Sequence, residues 1–386
     1  MDGGDRLTLR VVDKLADVAP AAWDACAGSN PFVTHAFLQA LEESGSATGK
    51  TGWLPQHLLL EDGSGRLVGA APLYVKSHSY GEYVFDHGWA EAYERAGGQY
   101  YPKLLTAVPF TPVPGPRLLL RSDAQSNARR LLIAGLIEVA KRSGVSSLHV
   151  TFPTADDCDM LVKFGFLRRI GRQFHWENRG YRNFDDFLAV LNARKRKQIK
   201  RERREANAAV DIELLSGADL KSRHWDAFFR FYTSTSDRKW GSSYLTREFF
   251  DLLGERMADR VLLVMATHGG RYVAGALNLI GPDTLYGRNW GCSGDFPFLH
   301  FEACYYRAIE FAIERSLKRV EAGAQGEHKI QRGYLPQPTY SAHWIADVGF
   351  RRAVEDFLGR ETVAVENEMD ELEQGLSPFR REGDGP

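Results

Sequence analysis

Apolar positions along this chain recur at two periods, and the switch between them marks out its elements. Leu7 to Val12 alternates as a short strand, Ala19 to Cys26 reads as an amphipathic turn or helix around Trp23, and Pro31 to Glu43 spaces Phe32, Phe37, Leu38 and Leu41 as a helix. Gln56 to Leu60 and Leu67 to Val75 flank the turn EDGSGR and predict a hairpin, with Glu82 to Phe85 extending the sheet. Prolines between Tyr101 and Arg117 exclude helix interior there. Asn127 to Ser143 is a strong helix closed by Gly144 and followed by the strand Ser147 to Phe152. Asp156 to Lys163 and Gln173 to Trp176 complete a mixed domain ending near Gly180.

The second half copies the first. LLLEDGSGRLVGAAPLYVK at 58–76 and LLVMATHGGRYVAGALNLIG at 262–281 both place a turn, Gly-Arg-x-Val, small residues and a further strand. A long helix follows in each copy, Asn127 to Ser143 and Phe301 to Ser316, then a strand, SSLHVTF and KRVEAGA. This predicts an internal duplication, whose cleft between similar halves would be the natural site. The expected division is 1–180, a basic helical arm or linker at 181–209, 210–375, and a frayed tail at 376–386.

Charge changes the picture at Asn183 to Ala208. An apolar stripe of Phe184, Phe187, Leu188 and Leu191 gives way to RKRKQIKRERRE, with eight cations between Arg194 and Arg204. Charges on all sides predict a helix projecting into solvent, free to meet tRNA phosphate or an anionic membrane surface, or simply solvated. The chain as a whole, 386 residues with net charge -1, says nothing about such partners. Four scattered cysteines without a CxxC pair argue against a disulfide framework or structural zinc. A charged N-terminus and the lack of a long apolar run point to a cytoplasmic protein that can still work on a membrane-linked substrate.

Candidate chemistry concentrates in Val320 to Trp344, where a loop is expected beside the second long helix. Glu321, Glu327 and His328 are the candidate acid-base residues, useful for deprotonating an amine that attacks an acyl ester. Lys329 and Arg332 would hold an anion, with Gln325, Tyr334, Tyr286 and Trp290 as further binding residues. Asp86 and His87 form the corresponding cluster in the first half, and Tyr101, Lys103 and Arg117 an opposite wall. The plainer readings, a charged surface loop and a polar strand end, stay open. No GxGxxG, Walker, HExxH or GxSxG motif occurs, which counts against hydride transfer and nucleotide hydrolysis, and no metal site is expected.

Five strings together carry a resemblance: HSYGEYVFDHGWA at 78–90, YYPKLLTAVPFTPVPGPRLL at 100–119, FHWENRGYRNFDDFLAVLNARKRKQIKRER at 174–203, GRNWGCSGDFPFLHFEACYYRAIEFAIE at 287–314 and EAGAQGEHKIQRGYLPQPTYSAHW at 321–344. They resemble the FemAB-like predicted N-acyltransferases, or peptidoglycan biosynthesis/recognition proteins, over about residues 5–375. The resemblance implies an α+β fold of two GNAT-like domains in tandem. It implies an acyl or aminoacyl group moved to an amine acceptor, either a small molecule or a cell-wall precursor. The donor would be acyl-CoA or aminoacyl-tRNA, with no tightly bound cofactor. GCSGDFPFLHFEA at 291–303 is the nearest approach to a glycine-rich pyrophosphate loop. The alternatives are a noncatalytic binder of a cell-wall precursor or anionic polymer, and an acyl-CoA-dependent small-molecule N-acetyltransferase.

Overall fold

The computed structural model describes residues 7–240, 243–324 and 326–380. Two compact units divide them: Met1–Gly171 with Thr339–Val365, and Arg172–Pro338 with Glu366–Pro386. The chain passes from one unit to the other three times, inside the strands Leu167–Glu177 and Leu335–Ile345 and inside the helix Val348–Leu376.

In the first unit Thr8–Val12, His57–Glu61, Leu67–Ala71 and Leu119–Leu120 form a small antiparallel sheet. Pro72 then breaks the strand, because proline cannot donate to a ladder, and Leu73–Lys76 enters a second sheet instead. There it pairs antiparallel with Trp53–Pro55 and with Lys103–Thr106. The helix Ala128–Ser143 buries Leu132, Ile133 and Leu136 fully, each contributing roughly 1.5–3 kcal/mol, and ends on Gly144 at φ +62°. It carries the chain to Ser147–Thr151, which runs parallel to Lys103–Thr106 and antiparallel to Ser341–Ile345.

The second unit repeats this plan without the break. Asp211–Leu215, Val261–His268, Arg271–Ile280 and Thr284–Cys292 are antiparallel in sequence order. A helical crossover leads to Arg319–Glu321, parallel to Thr284–Cys292 and antiparallel to His175–Glu177. The two crossovers occupy equivalent places, as the duplication predicts. Gly291 shows how tightly the helix Ser222–Trp240 packs on this sheet: a Cβ there would lie 2.2 Å from the Phe231 carbonyl oxygen.

Several expectations need correction. Glu82 to Phe85 is no strand, and the helix His87–Arg95 follows it. Residues 320–344 are not one loop, since a 3-10 turn, Glu327–Arg332, leads into the strand Leu335–Ile345. The basic segment is two helices, Phe184–Ala189 and Ala193–Ala209, started by Asn183 and Asn192 side chains that accept from Asp186 and Lys195 N–H groups. The second does not project freely: Ile199, Glu202 and Ala206 are buried along one face, and Arg203 pairs with Glu302 and Glu310. The end of the division expected at 210–375 is one long helix, Val348–Leu376. Of the expected frayed tail, Phe379 forms an antiparallel bridge with Leu191, while residues 381–386 lie outside the described residues.

Candidate active site

The parallel ladder of the second unit is short. Thr284, Leu285 and Tyr286 pair with Arg319, Val320 and Glu321, and the ladder ends there although Thr284–Cys292 continues for six more residues. Glu321 therefore sits where the two strands part. Its side chain is 7% exposed and its Oε2 has no hydrogen-bond partner. Burial pushes its pKa up to about 8, against the pull of Arg319 and Arg288.

The nearest titratable partner is His175, which faces Glu321 across the antiparallel strand pair with Nε2 3.9 Å from Oε2. Burial, then Arg319 and Lys329, push His175 down to about 3. At neutral pH a protonated carboxyl therefore meets a neutral imidazole, and the contact is not an ion pair. Gln173 Oε1 lies 3.4 Å from the same ring nitrogen.

Past Glu321 the chain turns at Gly323 and Gly326, both at positive φ, where side chains are strained. Lys329 fixes this turn by donating to the Ala322 and Gly323 carbonyls. His328 is half-buried, its Nε2 3.0 Å from the Tyr305 hydroxyl, and burial, then Arg332 and Lys329, lower its pKa. Tyr305 comes from a single π-helical turn, Glu302–Tyr306, inside the crossover. Glu327 is exposed at the start of the 3-10 turn, and Gln325 lies outside the described residues. Tyr286 is buried beside Glu321 in the ladder, and Trp290 is half-buried against His300, ring centroids 5.4 Å apart.

Lys329, expected to hold an anion, thus braces its own loop, and two more expected binding residues of this stretch take structural roles. Arg332, 3% exposed, is held by Glu202 at 2.8 and 2.9 Å, and the Tyr306 hydroxyl donates to the same carboxylate. Tyr334 is fully buried and donates to the Tyr305 carbonyl. Arg332 Nη2 donates to both Glu202 oxygens and Nη1 to the His328 carbonyl, so among the described residues only Nε of the guanidinium lacks a partner.

In the first unit Asp86, Tyr101 and Lys103 meet in a buried network. Lys103 Nζ donates to Ser79 at 2.7 Å, to Glu82 at 2.8 Å and to Asp86. Tyr101 shares a 2.8 Å hydrogen bond with Ser79, and Tyr100 donates to Asp86. Burial works against the Lys103 charge, but Glu82 and Asp86 outweigh it and hold its pKa above the usual lysine value. Burial likewise opposes the Asp86 charge, and Lys103 overcomes it, so Asp86 stays well below the carboxylate range. Glu82 is instead raised to about 7 and Lys76 lowered to about 7, both chiefly by burial. His87 is exposed, and Arg117 is buried and donates to the Thr151, Val113 and Pro116 carbonyls, a brace rather than a wall.

The network continues through residues that sequence reading missed. His149 and His343, opposite each other on antiparallel strands, approach Nδ1 to Nδ1 at 2.7 Å. Ser147 lies 2.8 Å from His149 Nε2, and Ser341 2.8 Å from His343 Nε2. A single proton lies between the two rings: the histidine that donates through Nδ1 accepts from its serine at Nε2, and the other donates to its serine through Nε2. Burial, followed by Lys103, pushes His149 down to about 3. Such a histidine contributes stability in full above its unfolded pKa of ~6.5 and loses it as pH falls toward about 3, whereas Glu82 and Glu321 lose theirs as pH rises through about 7 and 8. The ring NMR signals of His149 and His175 are expected to stay neutral down to pH ~4.5. A midpoint between ~6 and ~7 for either would contradict their burial.

A family profile described as peptidoglycan biosynthesis/recognition, FemAB-like, matches residues 14–381. The chain belongs to the FemAB-like family. No curated protein sequence matches it. Among solved structures it is similar to FemX, at 11% identity and TM-score 0.54, covering 90% of this chain and 100% of that one. It is similar also to the C-terminal domain of a protein from Agrobacterium fabrum assigned as a lysylphosphatidylglycerol synthetase, at 9% identity and TM-score 0.54, covering 91% and 98%. A tandem GNAT protein from the clavulanic acid biosynthesis pathway matches at 11% identity and TM-score 0.47, covering 89% and 99%. The first two likenesses bear out the expected α+β class for this FemAB-like chain. Among the described residues no helix is long and apolar enough to cross a membrane.

Proposed function

We propose that this FemAB-like protein is an N-acyltransferase that moves an acyl or aminoacyl group from an activated donor to an amine, with Glu321 as general base. The observation that carries the reading is a buried carboxyl with an unpartnered oxygen where two parallel strands part. Such a group, raised toward neutrality by burial, is matched to accepting a proton from an attacking amine.

In this reading the amine nitrogen attacks the donor carbonyl carbon while Glu321 takes its proton. The C–N bond forms, the oxyanion collapses, and the C–O bond of an aminoacyl ester or the C–S bond of a thioester breaks. The leaving oxygen or sulfur receives the proton back. Backbone N–H groups along Gly287–Cys292, beyond the end of the ladder, are the oxyanion donors. His175 faces the Glu321 side chain across the strand pair, and Lys329 holds the turn that follows Glu321. His328, on the same turn, assists proton transfer.

FemX and the lysylphosphatidylglycerol synthetase domain, which share the fold, favour an aminoacyl donor, with a cell-wall precursor as the amine-bearing acceptor. Mass spectrometry of the protein with acyl-CoAs and charged tRNAs, each paired with amine acceptors, tests this. The reading expects an acceptor heavier by the acyl group; a full panel with no acylated amine would remove it.

A further inference from the structure

The helix Ala193–Ala209 has two faces of opposite use. Inward, Ile199 and Ala206 pack, Glu202 holds Arg332, and Arg203 bridges Glu302 and Glu310. Those contacts fix the helix along its length. Outward, Arg194, Lys197, Arg201 and Arg204 are exposed at three- and four-residue intervals and form one stripe about 15 Å long, with Lys200 beside it. Among the described residues two acidic contacts offset it, Asp185 at 3.8 Å from Lys200 and Glu205 at 3.7 Å from Arg201. Both pairs are solvent-exposed and bind weakly.

We propose that this stripe docks the protein on an anionic lipid bilayer. The shape favours a planar partner: the shallow hollow along the stripe is lined only by residues of the helix itself, Arg194, Lys197, Arg201 and Arg204 among them, so no second element builds the wall of a groove that would track an RNA backbone. A half-buried aromatic flanks the stripe, Phe298, with the Arg201 guanidinium 5.7 Å over its ring. Cations in a row with an aromatic at their edge match the charge and depth of a headgroup layer. The proposal does not depend on acyl transfer, since neither Glu321 nor His175 takes part.

The test is co-sedimentation of the full chain with vesicles of phosphatidylcholine alone or containing about one third phosphatidylglycerol. Binding is expected only to the anionic vesicles, at about 0.1 M salt, and is lost near 1 M, where the screening length falls from ~10 Å to ~3 Å. The Arg194→Gln/Lys197→Gln/Arg204→Gln variant should partition on the order of 100-fold more weakly while its thermal unfolding is unchanged. Glu321→Gln should bind as the parent does, so failure of the transfer reading leaves this result standing. Equal binding to neutral vesicles, no binding to anionic ones, or full binding by the triple variant overturns the proposal. So does a protein that stays in the supernatant with anionic vesicles but binds a mixed-sequence RNA in a manner lost in the triple variant.

Discussion

Lys103→Ala is expected to cost about 3–5 kcal/mol of folding stability, the largest single loss in the first unit. Lys103 is fully buried and is the common donor to Ser79, Glu82 and Asp86. Removing it strands the Asp86 carboxylate, which is ionised and 2% exposed, with the neutral hydroxyls of Tyr100 and Ser79 as donors in place of a cation. The loss follows from the abandoned charge rather than from the value of the pair, so Lys103→Met/Asp86→Asn should recover most of it. Denaturant unfolding of the two variants measures both effects. A Lys103→Ala cost below about 1 kcal/mol would mean that the network is hydrated and the charges are not buried as the structure has them.

Glu321→Gln is expected to lower turnover by roughly 10²–10⁴-fold without lowering folded yield. Glutamine keeps the shape and removes only the titration. Because the folded pKa of Glu321 is raised to about 8, the wild-type protein loses stability as pH rises from ~4.5 through that value, and the variant lacks this loss. Above pH ~8 Glu321→Gln should therefore unfold at a higher temperature than the wild type. A residue that weakens the fold yet is needed for rate is what a functional site predicts. Reduced stability at high pH together with unchanged turnover would assign Glu321 a structural role.

Local pattern made the crossover helices, the hairpins and Glu321 itself visible, because each is written within a few dozen consecutive residues. The partners of those residues were not visible. His175 reaches Glu321, and His343 reaches His149, through antiparallel register between strands distant in sequence, which no local period encodes. Lys76 and Lys103 end apolar strands, LYVK and KLLT, where a lysine ordinarily reaches solvent. The loop carrying Ser79, Glu82 and Asp86 folds over them and turns them inward. Arg332 and Arg117 looked available for a ligand because arginine usually is, but Glu202 and three carbonyls had already claimed them. Glu202 was hidden inside a run of cations, where its neighbours masked it.

If Glu321 accepts the acceptor's proton, the pH dependence of kcat/KM carries its signature. kcat/KM should climb about tenfold per pH unit and level off near pH 8, with the climb absent in Glu321→Gln. A plateau reached by pH ~5, or a climb retained unchanged in Glu321→Gln, would contradict that proton transfer.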